Sequence, residues 1–93
     1  MKIESAKQLK TLKGEVYKTS EGTDLTLGGV IAESLATSDI AGKMKSYVLA
    51  HKFYNDKEVE VDAADLAIIK KSVEACKSYN NLILGQVLVE LEA

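Results

Sequence analysis

The chain has 93 residues, of which 46% are hydrophobic and 28% are charged, as in an ordinary small globular domain. We therefore expect a single domain over residues 1–93. The formal net charge is −2, and all twelve basic residues are lysines. Arginine supplies the planar, bidentate donor that proteins use on phosphates and bases. Its absence from an acidic chain predicts that the protein does not bind nucleic acid.

Cysteine content and hydropathy indicate a compartment. Cys76 is the single cysteine, which suits a reducing environment. The first residues lack the apolar run of a signal peptide, and no stretch approaches the ~20 apolar residues of a membrane span. We expect a soluble, cytoplasmic protein that does not associate with membranes.

The first quarter of the chain is predicted to be extended. Residues 1–8 are polar and could fray, and residues 8–12 could form a short strand. Residues 15–19 and 24–27 have strand propensity on either side of a turn at Gly22. They predict a β-hairpin with a loop of about four residues.

A first helix is predicted to follow Thr26, a suitable N-cap. Gly28 and Gly29 weaken its first turn, which indicates either relieved backbone strain or the close approach of another element. Their N–H groups could also face an anion, but the spacing matches no phosphate-binding motif. An apolar stripe at helical spacing supports the helix: Leu27, Val30, Ile31 and Leu35.

A second helix is predicted from an N-cap at Asp39 to about Asn55. Its apolar residues fall on two neighbouring stripes, of which the shorter contains Leu49 and Phe53. We expect the longer stripe to face the core and the helix to be central. The longer stripe consists of Ile40, Met44, Tyr47, Val48 and His51.

Residues 58–61 alternate as a short strand does, and we expect them to join the hairpin in a small antiparallel sheet. The strand-to-helix joints at 24–31 and 58–66 share one pattern and could pair with each other. Asp62 is predicted to cap a third helix, with Val61 and Leu66 placed as a hydrophobic staple. Its core side is formed by Leu66, Ile69, Val73 and Cys76.

Residues 82–91 suit either a helix or a buried strand, and their length without a breaker favours the helix. Gly85 would then mark close packing against a neighbour. The predicted fold is mainly α, of the α+β type, with about four helices and a small antiparallel sheet.

Two features that could indicate a metal site or an active site are better explained by structural roles. The segment 54–65 lies between two helices, as an EF-hand loop does, but Tyr54 stands at the first ligand position and Val59 where the loop needs glycine. We predict a helix–strand–helix unit without a metal. His51 and Cys76 fall on apolar stripes, and no set of nucleophile, base and oxyanion donors is evident. We therefore predict neither catalysis nor a cofactor.

Three tyrosines near element ends are the candidate interface residues: Tyr17, Tyr54 and Tyr79. Tyrosine is enriched in protein interfaces because its ring is apolar and its hydroxyl is polar. Packing at the rim of the core would explain them equally.

The order of motifs resembles that of a group of small bacteriophage and prophage proteins of uncharacterised function. This resemblance implies synthesis in the cytoplasm of an infected bacterium and carries over no catalytic residue. The motifs are Leu12-x-Gly14, Glu21-Gly22-x-Asp24-Leu25-Thr26-Leu27-Gly28, Lys43-Met44-x-x-Tyr47-x-Leu49-Ala50, Val59-x-Val61-Asp62-Ala63-Ala64-Asp65 and Gly85-Gln86-Val87.

The leading hypothesis is a small phage accessory protein that binds a host or defence protein. The alternative is an oligomeric virion assembly factor or tail-assembly chaperone, suggested by Gly85 and the apolar last element. An enzyme that binds a small ligand or a nucleotide is a third hypothesis that rests on Gly28 and Gly29 alone.

Overall fold

A computed structural model describes residues 1–19, 21–38, 40 and 42–92. The described residues form the predicted mainly α fold, with four helices and a two-stranded antiparallel sheet. In chain order the elements are β1 (Lys2–Glu4), α1 (Leu27–Thr37), α2 (Lys43–Asn55), β2 (Glu58–Glu60), α3 (Ala63–Ala75) and α4 (Asn81–Glu92). The predicted N-cap Asp39 lies outside the described residues, and α2 begins after Gly42.

Helix α1 is the centre of the fold and packs against α2, α3 and α4. The hydroxyl of Thr26 accepts a hydrogen bond from Gly29 N at 3.1 Å, as predicted for the N-cap. The predicted stripe is buried, and each of its large aliphatic side chains contributes about 1.5–3 kcal/mol by leaving water. The buried residues of α1 are Leu27, Gly28, Val30, Ile31, Ala32, Ser34 and Leu35.

The prediction that residues 1–8 fray was wrong, because this segment pairs with both strand-to-helix joints. Strand β1 lies antiparallel to β2, with Ile3 opposite Val59. Further along, Leu27 N donates to Lys7 O at 2.8 Å. The joints therefore pair with the N-terminal segment and not with each other, and β2 pairs with β1 and not with the hairpin. Strand pairing uses backbone groups, which the polar side chains of this segment do not reveal.

The predicted hairpin exists and belongs to a closed arrangement of three chain segments. Leu9 N donates to Leu25 O (3.0 Å), Tyr17 N to Leu9 O (2.9 Å) and Leu25 N to Tyr17 O (2.8 Å). The hairpin loop is shorter than predicted, because Thr19 N already bonds to Thr23 O at 2.7 Å.

Two similar turns connect these three segments. Gly14 N bonds to Thr11 O and Gly22 N to Thr19 O, each at 2.9 Å, and the two glycines have φ of 85° and 84°. The sequence carries the repeat as Leu9-Lys10-Thr11-x-x-Gly14 and Tyr17-Lys18-Thr19-x-x-Gly22. A positive φ favours glycine, so this spacing of Thr and Gly was a readable signal of paired turns.

Gly28 confirms the predicted close approach. A Cβ at this position would lie 2.4 Å from Phe53 O and 2.6 Å from Ser5 Cβ, so the N-terminal segment and α2 both meet α1 here. The corresponding prediction for Gly85 was wrong, since a Cβ there would have no neighbour within 4 Å. The apolar run around Gly85 forms the predicted helix but leaves this position at the surface.

Helix α2 packs through its shorter apolar stripe, which corrects the prediction that the longer one faces the core. Its buried residues are Ser46, Leu49 and Phe53. The backbone oxygen of Phe53 lies against Gly28 at this contact, and Leu49 lies one turn before Phe53 on the same buried side. One turn before Leu49, at the flank of the same side, Lys45 Nζ lies 2.7 Å from Asp65 Oδ1 of α3 and helps to hold this rotation.

Helices α3 and α4 agree with the predictions. Asp62 Oδ1 accepts a hydrogen bond from Asp65 N at 2.7 Å and caps α3. Ile69, Val73 and Cys76 are buried, and Leu66 packs at the edge of the same core. In α4 the side facing the core carries Ile83, Leu84, Val87 and Leu91.

Candidate protein-interaction surface

The outer face of α2 is apolar and exposed. We name five residues of this face the α2 stripe: Met44, Tyr47, Val48, His51 and Tyr54. The side chains of Met44, Tyr47 and Tyr54 are 82%, 65% and 78% exposed. Exposed apolar residues are common one at a time, but a contiguous group on one helix face is typical of an interaction site.

The rings of Tyr47 and His51 contact each other within the α2 stripe. Their centroids are 4.4 Å apart and the ring planes are inclined at 53°. Both side chains were predicted to be core residues, and the rotation of α2 about Leu49 and Phe53 places them outside. A contact that restricts the two rings lowers the entropy cost of binding through them.

A groove of about 720 Å³ adjoins the stripe at His51 and Tyr54. We name it the tyrosine groove, because Tyr54 of α2 and Tyr79 from the α3–α4 connection both line it. Small residues from α1 and α2 lie along it, so that another chain can approach the helix backbones. These residues are Gly29, Ala32, Ala36 and Ala50.

Three carboxylates line the tyrosine groove: Glu21, Asp24 and Glu33. Asp24 forms an ion pair with Lys18 and accepts a hydrogen bond from Gln8 Nε2. Within the described part of the chain, Glu21 and Glu33 take part in no salt bridge. The groove is thus acidic, and its described lining contains no lysine.

The burial and the charge of the groove change the pKa of the Tyr79 hydroxyl. Burial raises the pKa of the Tyr79 hydroxyl, and the negative charge of Glu33 raises it further. Tyr79 also packs against the core. It is therefore a neutral, partly fixed wall of the groove near an unpaired carboxylate.

The structure separates the three candidate tyrosines. Tyr54 belongs to the α2 stripe, and Tyr54 and Tyr79 line the same groove. Tyr17 lies elsewhere, packed against the core, with its backbone in the three-segment arrangement. The residues that sequence reasoning missed are Met44, Tyr47 and Glu33. The sequence did contain a signal for the first two, since α2 has two apolar stripes and can bury only one against α1.

The amino end of α1 does not offer free donors to an anion. Leu27 N bonds to Lys7 O, Gly28 N to Ser5 O at 2.9 Å, and Gly29 N to the Thr26 hydroxyl. Val30 N bonds to Thr26 O in the ordinary helical manner. The donors that a phosphate would need are therefore engaged. Over residues 1–19, 21–38, 40 and 42–92, no three His, Cys, Asp or Glu side chains form a group that could hold a metal ion.

No helix of the described segments is both long enough and apolar enough to pass through a bilayer. Comparisons of the chain with protein-family models, with curated proteins and with solved structures found no match.

Proposed function

We propose that this chain is a small accessory protein, of bacteriophage or prophage origin, that binds another protein through the α2 stripe and has no catalysis of its own. One observation carries the proposal: the longer apolar stripe of α2 is turned away from the core. Met44, Tyr47 and Tyr54 are large, exposed and adjacent on one helix face. Aromatic residues and methionine are the types enriched at the centre of protein interfaces.

The orientation of α2 leaves the α2 stripe without a packing role in the core. Leu49 and Phe53 already supply the packing that α2 makes with the core, so the stripe is not needed for the helix to dock. An exposed apolar face favours association and aggregation, which is a disadvantage for a monomer. A partner that covers the stripe removes this disadvantage and gains the free energy of burial.

The test is photo-crosslinking in bacterial lysate, because the sequence motifs resemble those of bacteriophage and prophage proteins. A photoreactive amino acid replaces Met44 at the amino end of the stripe, and a matched variant carries it at Lys71, an exposed position of α3. We expect a distinct product from the Met44 position and none from Lys71. Purification of the product and mass spectrometry identify the partner.

A second variant connects the product to the stripe. Tyr47→Ser in the photoreactive chain should weaken crosslinking, while Lys71→Ser on the exposed side of α3 should leave it unchanged. Both variants should keep the wild-type melting temperature, because both side chains are exposed. Equal products from Met44 and Lys71, or a Met44 product unaffected by Tyr47→Ser, would contradict the proposal.

A second candidate function is self-association in virion or tail assembly, through α4. Leu82 and Val89 are exposed on one side of α4, and the open space at Gly85 lies between them. They line a shallow depression together with Gln86 and the N-terminal segment. Sedimentation of the wild type at increasing concentration tests this candidate, with Val89→Lys expected to abolish any association.

A further inference from the structure

We propose that the tyrosine groove receives a basic segment of the partner, with a lysine or arginine side chain placed between Tyr54 and Tyr79 and facing Glu33. This inference rests on the proposed function, since it assigns a chemical class to the partner of the same surface. The groove is continuous with the α2 stripe, because His51 and Tyr54 belong to both.

The charges of the groove argue for a cationic ligand. Glu21 and Glu33 line it, and neither forms a salt bridge with any described residue. The chain has twelve lysines, yet none is among the described lining residues. A basic side chain entering here meets two carboxylates and no lysine among the lining residues that the structure describes, so electrostatic complementarity favours it over an acidic one.

Tyr54 and Tyr79 also favour a basic side chain as the ligand of the groove. Tyr54 and Tyr79 both line one cavity, and a lysine or arginine head group is attracted to the face of an aromatic ring. The aliphatic part of these side chains can lie along the small residues of the groove. An uncharged apolar segment would satisfy these small residues but would leave the carboxylates without a partner.

The surface area that each occupant could cover favours a partner protein over a second copy of this chain. The exposed hairpin tip at Leu12 and Lys13 is basic and apolar, and it could enter the groove of another copy. A single tip covers little surface, whereas a stable interface needs roughly 800 Å² from each protein. A partner segment that continues from the groove onto the α2 stripe can cover more, so we assign the groove to a different protein.

The test is selection of peptides from a random display library on the full chain, followed by binding measurements on the enriched peptides. We expect the enriched sequences to share a lysine or arginine next to apolar residues. Their affinity should fall about fivefold in Glu33→Gln, the equivalent of losing one exposed charge pair, and should also fall with added salt. Glu74→Gln is the matched control on the exposed face of α3, and there we expect no change.

Three results would overturn the inference. The first is a set of enriched peptides without basic residues, or with an affinity equal in Glu33→Gln and wild type; the proposed function would then stand if the Met44 crosslink is present. The second is a library that yields no binder, in which case the Met44 crosslink alone decides the proposed function. The third is concentration-dependent self-association that Lys13→Gln abolishes, which would assign the groove to a second copy.

Discussion

Helices α1 and α2 are neighbours of similar length and had similar apolar patterns in the sequence, but they occupy different environments. Helix α1 packs against the three other helices and buries most of its length. Helix α2 lies at the edge and buries only Ser46, Leu49 and Phe53. An apolar stripe therefore identifies a face that can be buried. The number of neighbouring helices and strands decides whether it is buried.

Gly28 is where the two helices meet, and its substitution should destabilise the protein strongly. In Gly28→Ala the new Cβ would lie 2.4 Å from the Phe53 carbonyl oxygen, a backbone atom that cannot rotate away. We expect a loss of about 3 kcal/mol or more of unfolding free energy, because overpacking forces the backbones apart. Urea denaturation followed by circular dichroism measures this loss.

Gly85→Ala is the matched control for Gly28→Ala. Position 85 is helical and has open space around it. Alanine there should stabilise the protein by up to about 1 kcal/mol through helix propensity alone. Two glycine-to-alanine changes of opposite sign would confirm that Gly28 is required by the close approach, whereas equal small effects would contradict it.

The two stripes of α2 can be compared directly with Phe53→Ala and Tyr54→Ala. Phe53 is 1% exposed, and truncation should cost about 3–5 kcal/mol because it leaves a cavity against α1. Its neighbour in sequence, Tyr54, is exposed, and its truncation should change stability by less than about 0.5 kcal/mol. Thermal unfolding of the two variants measures both. A large loss for Tyr54→Ala would mean that α2 is rotated from the orientation described.

The two helix ends that flank β2, the carboxyl end of α2 and the amino end of α3, should show smaller effects. Asp62→Ala removes the acceptor for Asp65 N and should cost about 1 kcal/mol. Asp56→Ala, in the same connection, removes an exposed carboxylate and should have little effect, since this residue contributes its backbone N–H to the end of α2. Chemical denaturation of both variants tests the assignment, and equal losses would argue against a specific cap at Asp62.

The smallest expected effect is a pH dependence at the groove. Burial and Glu33 raise the pKa of Tyr79 above its ordinary value of 10.0, so the folded protein keeps this proton more tightly than the unfolded one. The resulting stability is present below pH 10.0 and is lost as the pH rises through the folded-state value. The difference in tyrosinate absorbance between wild type and Tyr79→Phe isolates this titration.

Glu33→Gln tests whether the charge of Glu33 contributes to the raised pKa of Tyr79. It removes one of the negative charges and should lower the pKa of Tyr79, although burial should still keep it above the ordinary value. Glu74→Gln should leave the titration unchanged. An unchanged Tyr79 titration in Glu33→Gln would place Glu33 away from the ring.

Local signals in the sequence were sufficient for the helices and their caps. Thr26 and Asp62 act over three residues, and the hydrogen bonds they accept are those expected from the sequence. The rotation of α2 was not predictable in the same way, because it depends on what Phe53 meets at Gly28. The pairing of residues 1–7 was also missed, since it uses backbone groups. For the candidate surface, Tyr54 and Tyr79 were identified from residue type, but Glu33 joins them only through tertiary structure.

The ring of hydrogen bonds among Leu9, Tyr17 and Leu25 has a kinetic consequence. Each residue donates to one of the other two and accepts from the remaining one, so no segment can detach without leaving both others incomplete. The three amide hydrogens should then exchange with solvent as a single cooperative unit. Since the ring cannot close until the last segment arrives, we expect it to form late in folding, after the local turns at Gly14 and Gly22.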